Sequence, residues 1–81
     1  MSALVTLYTS PGCHLCEEAR EALLRVQEDQ GFELLEQDIA SDQTLHRAYL
    51  ERVPVVALNG EELFDYFVQE DVLRARLAAL H

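Results

Sequence analysis

Apolar and polar positions follow two different periods along the chain, and these periods predict the first two elements. Segment 3–8, Ala-Leu-Val-Thr-Leu-Tyr, is almost continuously apolar or β-favouring, which is typical of a strand buried on both faces of a sheet. A turn cluster at 9–12 follows it. From about residue 13 to residue 30 the apolar side chains recur with a helical period, which predicts an amphipathic helix. The apolar positions of this stripe are Leu15, Cys16, Ala19, Ala22, Leu23 and Val26.

After Gly31, which supplies a helix stop, the pattern predicts a second strand over 32–39. Ser41 is of a residue type that caps helices, so we expect it to cap a short helix of about 42–51. The side chains of this helix that we expect to face inward are Leu45, Ala48 and Tyr49.

The last third of the chain predicts a hairpin and a final helix. Segment 53–58 is a third strand, and Asn59-Gly60 is a strong hairpin signal that folds 61 to about 64 back as a fourth strand. A helix of about 69–80 follows, and the side chains expected on its buried face are Val72, Leu73, Leu77 and Leu80. The element order βαβαββα predicts a compact α/β sandwich around a mixed four-stranded sheet.

Length and charge narrow the function classes. The chain has 81 residues, enough for one domain spanning 1–81, and its net charge is −9 with six arginines and no lysine. A surface this acidic repels phosphate backbones and anionic membranes, so we expect neither nucleic acid nor a membrane as a partner. No apolar run approaches a membrane span and no signal-peptide pattern opens the sequence, so we expect a cytoplasmic protein.

The two cysteines, Cys13 and Cys16, carry the candidate chemistry. Cys13 falls at the start of the first predicted helix, where unpaired N–H groups and the helix dipole favour a thiolate. Cys16 is one turn along in the apolar stripe, so it should be the more buried sulfur. This asymmetry suits thiol–disulfide exchange. Metal or cluster binding and inert thiols remain open alternatives. The available histidines make a weak zinc set, so we predict no metal site; they are His14, His46 and His81.

Three segments resemble a small bacterial glutaredoxin-like family of the thioredoxin fold. They are 7–16, Leu-Tyr-Thr-Ser-Pro-Gly-Cys-His-Leu-Cys, then 52–55, Arg-Val-Pro-Val, and 59–63, Asn-Gly-Glu-Glu-Leu. The resemblance implies a sheet in the strand order 2-1-3-4 flanked by three helices. It also implies a thiol–disulfide oxidoreductase in which Cys13 attacks and Cys16 resolves the mixed disulfide.

The same resemblance implies a substrate-binding edge at a cis Val53–Pro54 bond. There Val53 would offer its backbone N–H and C=O to an extended thiol or disulfide substrate beside Cys13. We expect Arg52 and Tyr8 to contact the substrate as well. We expect His14 and Gly12 to modulate Cys13.

The sequence departs from glutaredoxins at positions expected to hold glutathione. Ser10 stands where a lysine is common, and Phe64-Asp65 stands where a Gly-Gly pair is usual. Glutathione is therefore only a candidate co-substrate, with Arg52 replacing part of its grip. We expect a monomer without a cofactor that acts on protein or small-molecule thiols and disulfides. The alternative is a non-enzymatic module, either a dimer binding an iron–sulfur cluster or a scaffold with vestigial cysteines.

Overall fold

The computed structural model describes residues 3–80 and contains the predicted elements in the predicted order. A 3-10 turn, Ile39–Ser41, precedes the second helix. The strands are β1 (Leu4–Thr9), β2 (Glu33–Asp38), β3 (Val55–Leu58) and β4 (Glu61–Asp65), and the helices are α1 (His14–Asp29), α2 (Gln43–Tyr49) and α3 (Glu70–Ala78). The βαβαββα topology is confirmed.

The four strands form one sheet in the order β2-β1-β3-β4, as predicted. β1 pairs with β2 in parallel, whereas β3 pairs with both β1 and β4 in antiparallel fashion. The β3–β4 pairing shifts register between Val56 and Ala57, so that Val56 lies opposite Phe64 while Ala57 lies opposite Glu62. This shift is a β-bulge in β4.

One face of the sheet is covered by α1 and α3. Five of the six residues in the predicted stripe of α1 are buried, namely Cys16, Ala19, Ala22, Leu23 and Val26, whereas Leu15 is half-buried. These helices close over a core to which every element of this face contributes. Its fully buried members are Val5, Leu7, Leu23, Val26, Val56, Leu73 and Leu77. Two ion pairs join the helices at the surface, Arg25 with Glu70 and Arg74 with Asp29.

The opposite face carries α2, and here the predicted details change. Asp42, not Ser41, caps this helix, and its carboxylate accepts from the Thr44 N–H at 2.7 Å. The Ser41 hydroxyl instead donates to the Asp38 carbonyl within the 3-10 turn, so the helix begins one residue later than a Ser41 cap requires. The prediction of Ser41 as the cap was wrong for this reason.

The inward face predicted for α2 was also partly wrong. No residue of α2 is buried: Ala48 is exposed, and Leu45 and Tyr49 are only half-buried. The helix has seven residues, too short to lay a full apolar stripe on the sheet, and it contacts the sheet through Tyr49, whose ring stacks on that of Tyr8.

The final helix is shorter than predicted. Leu73 and Leu77, four residues apart, are fully buried, but Val72 and Leu80 are 38% and 51% exposed. Val72 is rotated about 100° around the helix from Leu73, and Leu80 lies beyond the helix end at Ala78, so neither reaches the core. Within residues 3–80, no helix is long and apolar enough to cross a membrane.

Candidate functional site

The two cysteines lie at the N-terminus of α1. Cys13 is the N-cap residue, and its sulfur accepts a hydrogen bond from the Cys16 N–H at 3.1 Å. The two sulfur atoms are at disulfide-bonding distance, with Cα atoms 5.2 Å apart. Cys13 is half-buried, whereas Cys16 is only 5% exposed. The sheltered position expected for Cys16 is therefore observed.

A tight turn carries the chain from β1 into this helix. Gly12 has φ +75°, a left-handed conformation that side chains with a Cβ rarely adopt. The turn is closed by the Cys13 N–H, which donates to the Ser10 carbonyl at 3.2 Å. Gly12 thus allows the chain to reverse and place Cys13 at the helix cap.

The sheet register brings Val53 and Pro54 to the same edge as the cysteine loop. Tyr8 pairs with Val55, so the next row at this edge contains Thr9 and Pro54. Tyr66 continues that row, since its N–H donates to the Pro54 carbonyl at 2.8 Å. The Val53–Pro54 peptide bond is cis, Pro54 is buried and Val53 is half-buried.

A shallow cavity of about 190 Å³ opens beside the disulfide. Both cysteines line it, and its far wall is the ion pair of Arg20 with Glu36, whose Nε and Oε2 atoms are 3.2 Å apart. A larger depression of about 510 Å³ lies at the end of α2 beside Arg47, and neither cysteine lines it. The space next to the sulfur atoms can therefore admit a small part of a substrate but not enclose one.

Arg52 is held by the protein's own carboxylates. Its Nη2 donates to Glu62 Oε1 at 2.5 Å, its Nε lies 3.6 Å from Asp65 Oδ2, and its guanidinium stands 5.4 Å from the Tyr49 ring centroid. The hydrogen bond raises the pKa of Arg52 and lowers the pKa of Glu62. Sequence reasoning missed these partners, although the Glu61-Glu62 pair after the hairpin turn was a visible source of carboxylates.

Tyr8 packs against Tyr49 of α2. Its ring stacks on Tyr49 with centroids 4.5 Å apart and an interplanar angle of 24°. The Tyr49 hydroxyl donates to Glu62 Oε2 at 2.9 Å, and burial followed by this hydrogen bond raises the pKa of Tyr49. These contacts join four side chains into one cluster, Tyr8, Tyr49, Arg52 and Glu62. Arg52 of this cluster directly precedes Val53 in the sequence.

His14 points into solvent. Its side chain is 84% exposed, and Nδ1 lies 4.0 Å from Glu17 Oε2. Among residues 3–80, no three His, Cys, Asp or Glu side chains come together as a set that could hold a metal ion. The roles of His14 and Gly12 as modulators of Cys13, and of Arg52 and Tyr8 as substrate contacts, stay predictions.

Residues 4–78 match the glutaredoxin-like domain family (DUF836). The chain belongs to this family. The predicted resemblance to a small glutaredoxin-like family is confirmed, and the match covers every helix and strand of the fold.

Relatives of this glutaredoxin-like domain occur in mycobacteria. The uncharacterized protein Rv0508 of Mycobacterium tuberculosis is 32% identical in an alignment of 79 positions that covers 91% of this chain and 81% of the relative. The uncharacterized protein Mb0520 of Mycobacterium bovis matches to the same extent.

Solved structures show the same architecture. Protein Ne2328 from Nitrosomonas europaea superposes with a TM-score of 0.82 at 36% identity, covering 94% of this chain and 92% of that one. Protein XcR50 from X. campestris gives 0.76 at 38% identity, covering 93% and 96%. Chloroplastic thioredoxin z gives 0.77 at only 11% identity, covering 98% and 78%, which shows the thioredoxin fold alone. This glutaredoxin-like domain therefore has a thioredoxin fold with a cysteine pair at disulfide distance.

Proposed function

We propose that this glutaredoxin-like domain is a thiol–disulfide oxidoreductase in which Cys13 attacks and Cys16 resolves. The observation that carries the proposal is the cap: the Cys13 sulfur accepts the Cys16 N–H at the start of α1. An anionic sulfur in that position keeps the hydrogen bond and gains from the helix dipole. The same contact supports Cys13, rather than Cys16, as the nucleophile.

The reaction begins with the reduced protein. The Cys13 thiolate attacks one sulfur of a substrate disulfide, the substrate S–S bond breaks, and the departing thiolate takes up a proton. Cys16 then loses its proton and attacks the Cys13 sulfur of the mixed disulfide, which releases the second substrate thiol. The substrate gains two electrons, and the protein ends with the Cys13–Cys16 disulfide. A thiol reductant must return those electrons before the next cycle.

The difference in burial between the two sulfur atoms supports this division of labour. Cys16 is 5% exposed and lies in the apolar stripe of α1, so an external disulfide cannot readily reach it. Cys13 is half-buried and lines the cavity at the sheet edge. The first attack is therefore assigned to Cys13, and Cys16 acts once the substrate is already bonded.

Val53 and Pro54 are the proposed substrate-orienting residues, because the sheet register brings them to the end of the sheet from which the cysteine loop leaves. The Val53 N–H, which was expected to be offered to the substrate, donates instead to the Tyr49 carbonyl at 3.1 Å, so the proposal does not use this N–H. We propose protein or small-molecule thiols and disulfides as substrates, with glutathione as a candidate co-substrate, and a cytoplasmic monomer without a bound cofactor. Arg52 already pairs with Glu62 and Asp65, which argues against a strong grip on an anionic thiol.

Single cysteine substitutions test the mechanism. Cys13→Ser should abolish reduction of bis(2-hydroxyethyl) disulfide, because no nucleophile remains at the cap. Cys16→Ser should still attack but should accumulate a mixed disulfide, since the resolving thiol is gone. Rates are followed by thiol release and the mixed disulfide by intact mass, and circular dichroism verifies that both variants fold. A Cys13→Ser protein as active as the wild type would refute the mechanism, and a wild type without reductase activity would leave the non-enzymatic alternative.

A further inference from the structure

Two adjacent aromatic side chains are exposed near the end of the sheet at which the cysteine loop leaves β1. Phe67 is 68% exposed and Tyr66 is 42% exposed, and both lie in the turn between β4 and α3. Single exposed apolar residues are ordinary, but two adjacent exposed aromatic side chains are characteristic of binding surfaces.

The turn that presents Phe67 is held in place by hydrogen bonds. Tyr66 has φ 67°, a left-handed conformation that is unfavourable for a bulky residue and persists only where its surroundings impose it. Its N–H donates to the Pro54 carbonyl at 2.8 Å and its hydroxyl donates to the Glu51 carbonyl. Phe67 therefore has a fixed position relative to Pro54.

A groove of about 220 Å³ separates this turn from α1. Ala19 and Ala22 are buried residues of α1 that line it, and Phe67 and Val68 line it from the turn. Small side chains on one wall and an aromatic ring on the other leave room for an inserted apolar side chain. The remaining lining residues are Glu18, Arg25, Tyr66 and Glu70.

The free charge of the groove is negative. Arg25 is neutralised by Glu70, with an Nη2–Oε2 distance of 2.8 Å and two further contacts from Nε at 3.3 Å. Glu18 is exposed at the other end, and none of the arginines, all of which lie within residues 3–80, pairs with it. A cation brought by a partner therefore has an available carboxylate.

The groove is within reach of a chain bonded to Cys13. Glu18 and Ala22 follow Cys13 by five and nine residues, about 7 and 13 Å along a helix. An extended peptide advances about 3.3 Å per residue, so two to four residues span that distance.

We infer that the groove between α1 and residues 66–68 docks the substrate protein, accepting an apolar side chain two to four residues from the reactive cysteine and an adjacent lysine or arginine at Glu18. This inference rests on the proposed oxidoreductase function and specifies its substrate class. Docking itself needs no electron transfer, so it can be measured on the oxidised protein.

Two sets of four peptides test the groove in a binding experiment. Within a set the peptides are identical except for Leu or Ser three positions from a serine that replaces the cysteine, and Lys or Glu beside it. One set carries these residues on the N-terminal side of that serine and the second set on the C-terminal side. Fluorescence anisotropy with the oxidised protein at low salt should show the Leu/Lys peptide of one set binding about tenfold more tightly than its Ser/Glu counterpart.

Substitutions then assign the two preferences. Phe67→Ala should abolish the preference for Leu, and Glu18→Gln should abolish the preference for Lys. Leu35→Ala, at a leucine on β2 that is 46% exposed, and Glu28→Gln, at the far end of α1, should change neither. Equal binding of all four peptides in both sets, or preferences that survive Phe67→Ala and Glu18→Gln, would overturn the inference.

A rate measurement separates this inference from the proposed function. Prereduced wild type and the two control variants, Leu35→Ala and Glu28→Gln, should reduce bis(2-hydroxyethyl) disulfide, which is too small to reach the groove, at the same rate. If the wild type does not reduce this disulfide, the proposed oxidoreductase function is contradicted, but the result of the peptide-binding experiment still holds. Full activity together with indiscriminate peptide binding contradicts only the groove.

Discussion

The two faces of the sheet differ in how many residues their helices bury. On the α1–α3 face, α1 contributes five buried residues and α3 contributes two. On the α2 face, α2 contributes none, and Leu35 of β2 is left 46% exposed. The first face is closed by apolar packing, whereas α2 is held by a cap, an aromatic stack and polar contacts at Glu62.

This difference bears on the candidate site because its two parts adjoin helices on different faces of the sheet. The cysteine pair begins α1, and the Val53–Pro54 segment follows α2. The cysteines belong to α1 and inherit its packed core. Val53 and Pro54 follow α2 and are joined to it by hydrogen bonds between residues close in sequence. One of these runs from the Val53 N–H to the Tyr49 carbonyl at 3.1 Å. The sulfur atoms therefore belong to a helix with five buried residues, while the proposed substrate-orienting segment follows a helix with none, and we expect amide exchange to be faster in α2 than in α1.

The largest expected effect comes from truncating one leucine on each face. Leu23→Ala, at a fully buried position of α1, should lower the free energy of unfolding by about 2–5 kcal/mol because it leaves a cavity. Leu45→Ala, at a half-buried position of α2, should cost about 1 kcal/mol or less. Urea denaturation of the oxidised proteins, followed by far-UV circular dichroism, measures both. Equal losses would mean that the two faces contribute alike.

The cap of α2 should have an intermediate effect. Asp42→Ala removes the acceptor for the Thr44 and Leu45 N–H groups and should destabilise the protein by about 1 kcal/mol. Ser41→Ala is the matched control, since Ser41 is the neighbouring residue of a capping type but does not cap the helix. Denaturation midpoints and amide exchange of α2 report the difference. A larger loss for Ser41→Ala would restore the cap that the sequence predicted.

The smallest effect compares one ion pair from each face. Hydrogen bonds from Arg25 and Arg52 lower the pKa values of Glu70 and Glu62, respectively. A carboxyl whose pKa is lower in the folded chain stabilises the fold above its unfolded value of about 4.3, and this contribution disappears as the pH falls through the folded pKa. Both pairs lie at the surface, where solvent screens the attraction, so each contributes little to stability.

Urea titrations between pH 7 and pH 3 with Glu62→Gln and Glu70→Gln measure these contributions. Each variant should lose stability near neutral pH and show a shallower decline on the acid side than the wild type. Glu70 is the less exposed of the two, so its variant should differ more. Glu28→Gln serves as the control and should follow the wild type, and a steeper acid decline in either test variant would reverse the sign derived above.

The sequence predicted the elements of the packed face well. The period of α1 extends over sixteen residues, long enough to identify its stripe, and the turn cluster before it located Cys13 at the cap. The strand order came from the family resemblance. In the short α2 the sequence offered two adjacent capping residues, Ser41 and Asp42, and only the 3-10 turn decides between them.

Contacts between distant segments were the part that the sequence could not predict. Arg52 was expected to meet substrate, but its Glu62 partner lies ten residues away and reaches it only through the geometry of β4. The groove beside Phe67 was missed because its walls, α1 and the turn before α3, are far apart in sequence. Periodicity describes each segment alone and contains no information on which neighbour it meets.

The bulge in β4 sets which way the redox end of that strand points. Leu63 is the additional residue between Glu62, opposite Ala57, and Phe64, opposite Val56. Side chains alternate along a strand, so one inserted residue inverts the phase of all that follow. Phe64 thereby turns into the core and Asp65 turns outward to Arg52. Shortening the strand by this one leucine would swap the surroundings of a hydrocarbon ring and an acid, while the hairpin turn itself stayed unchanged.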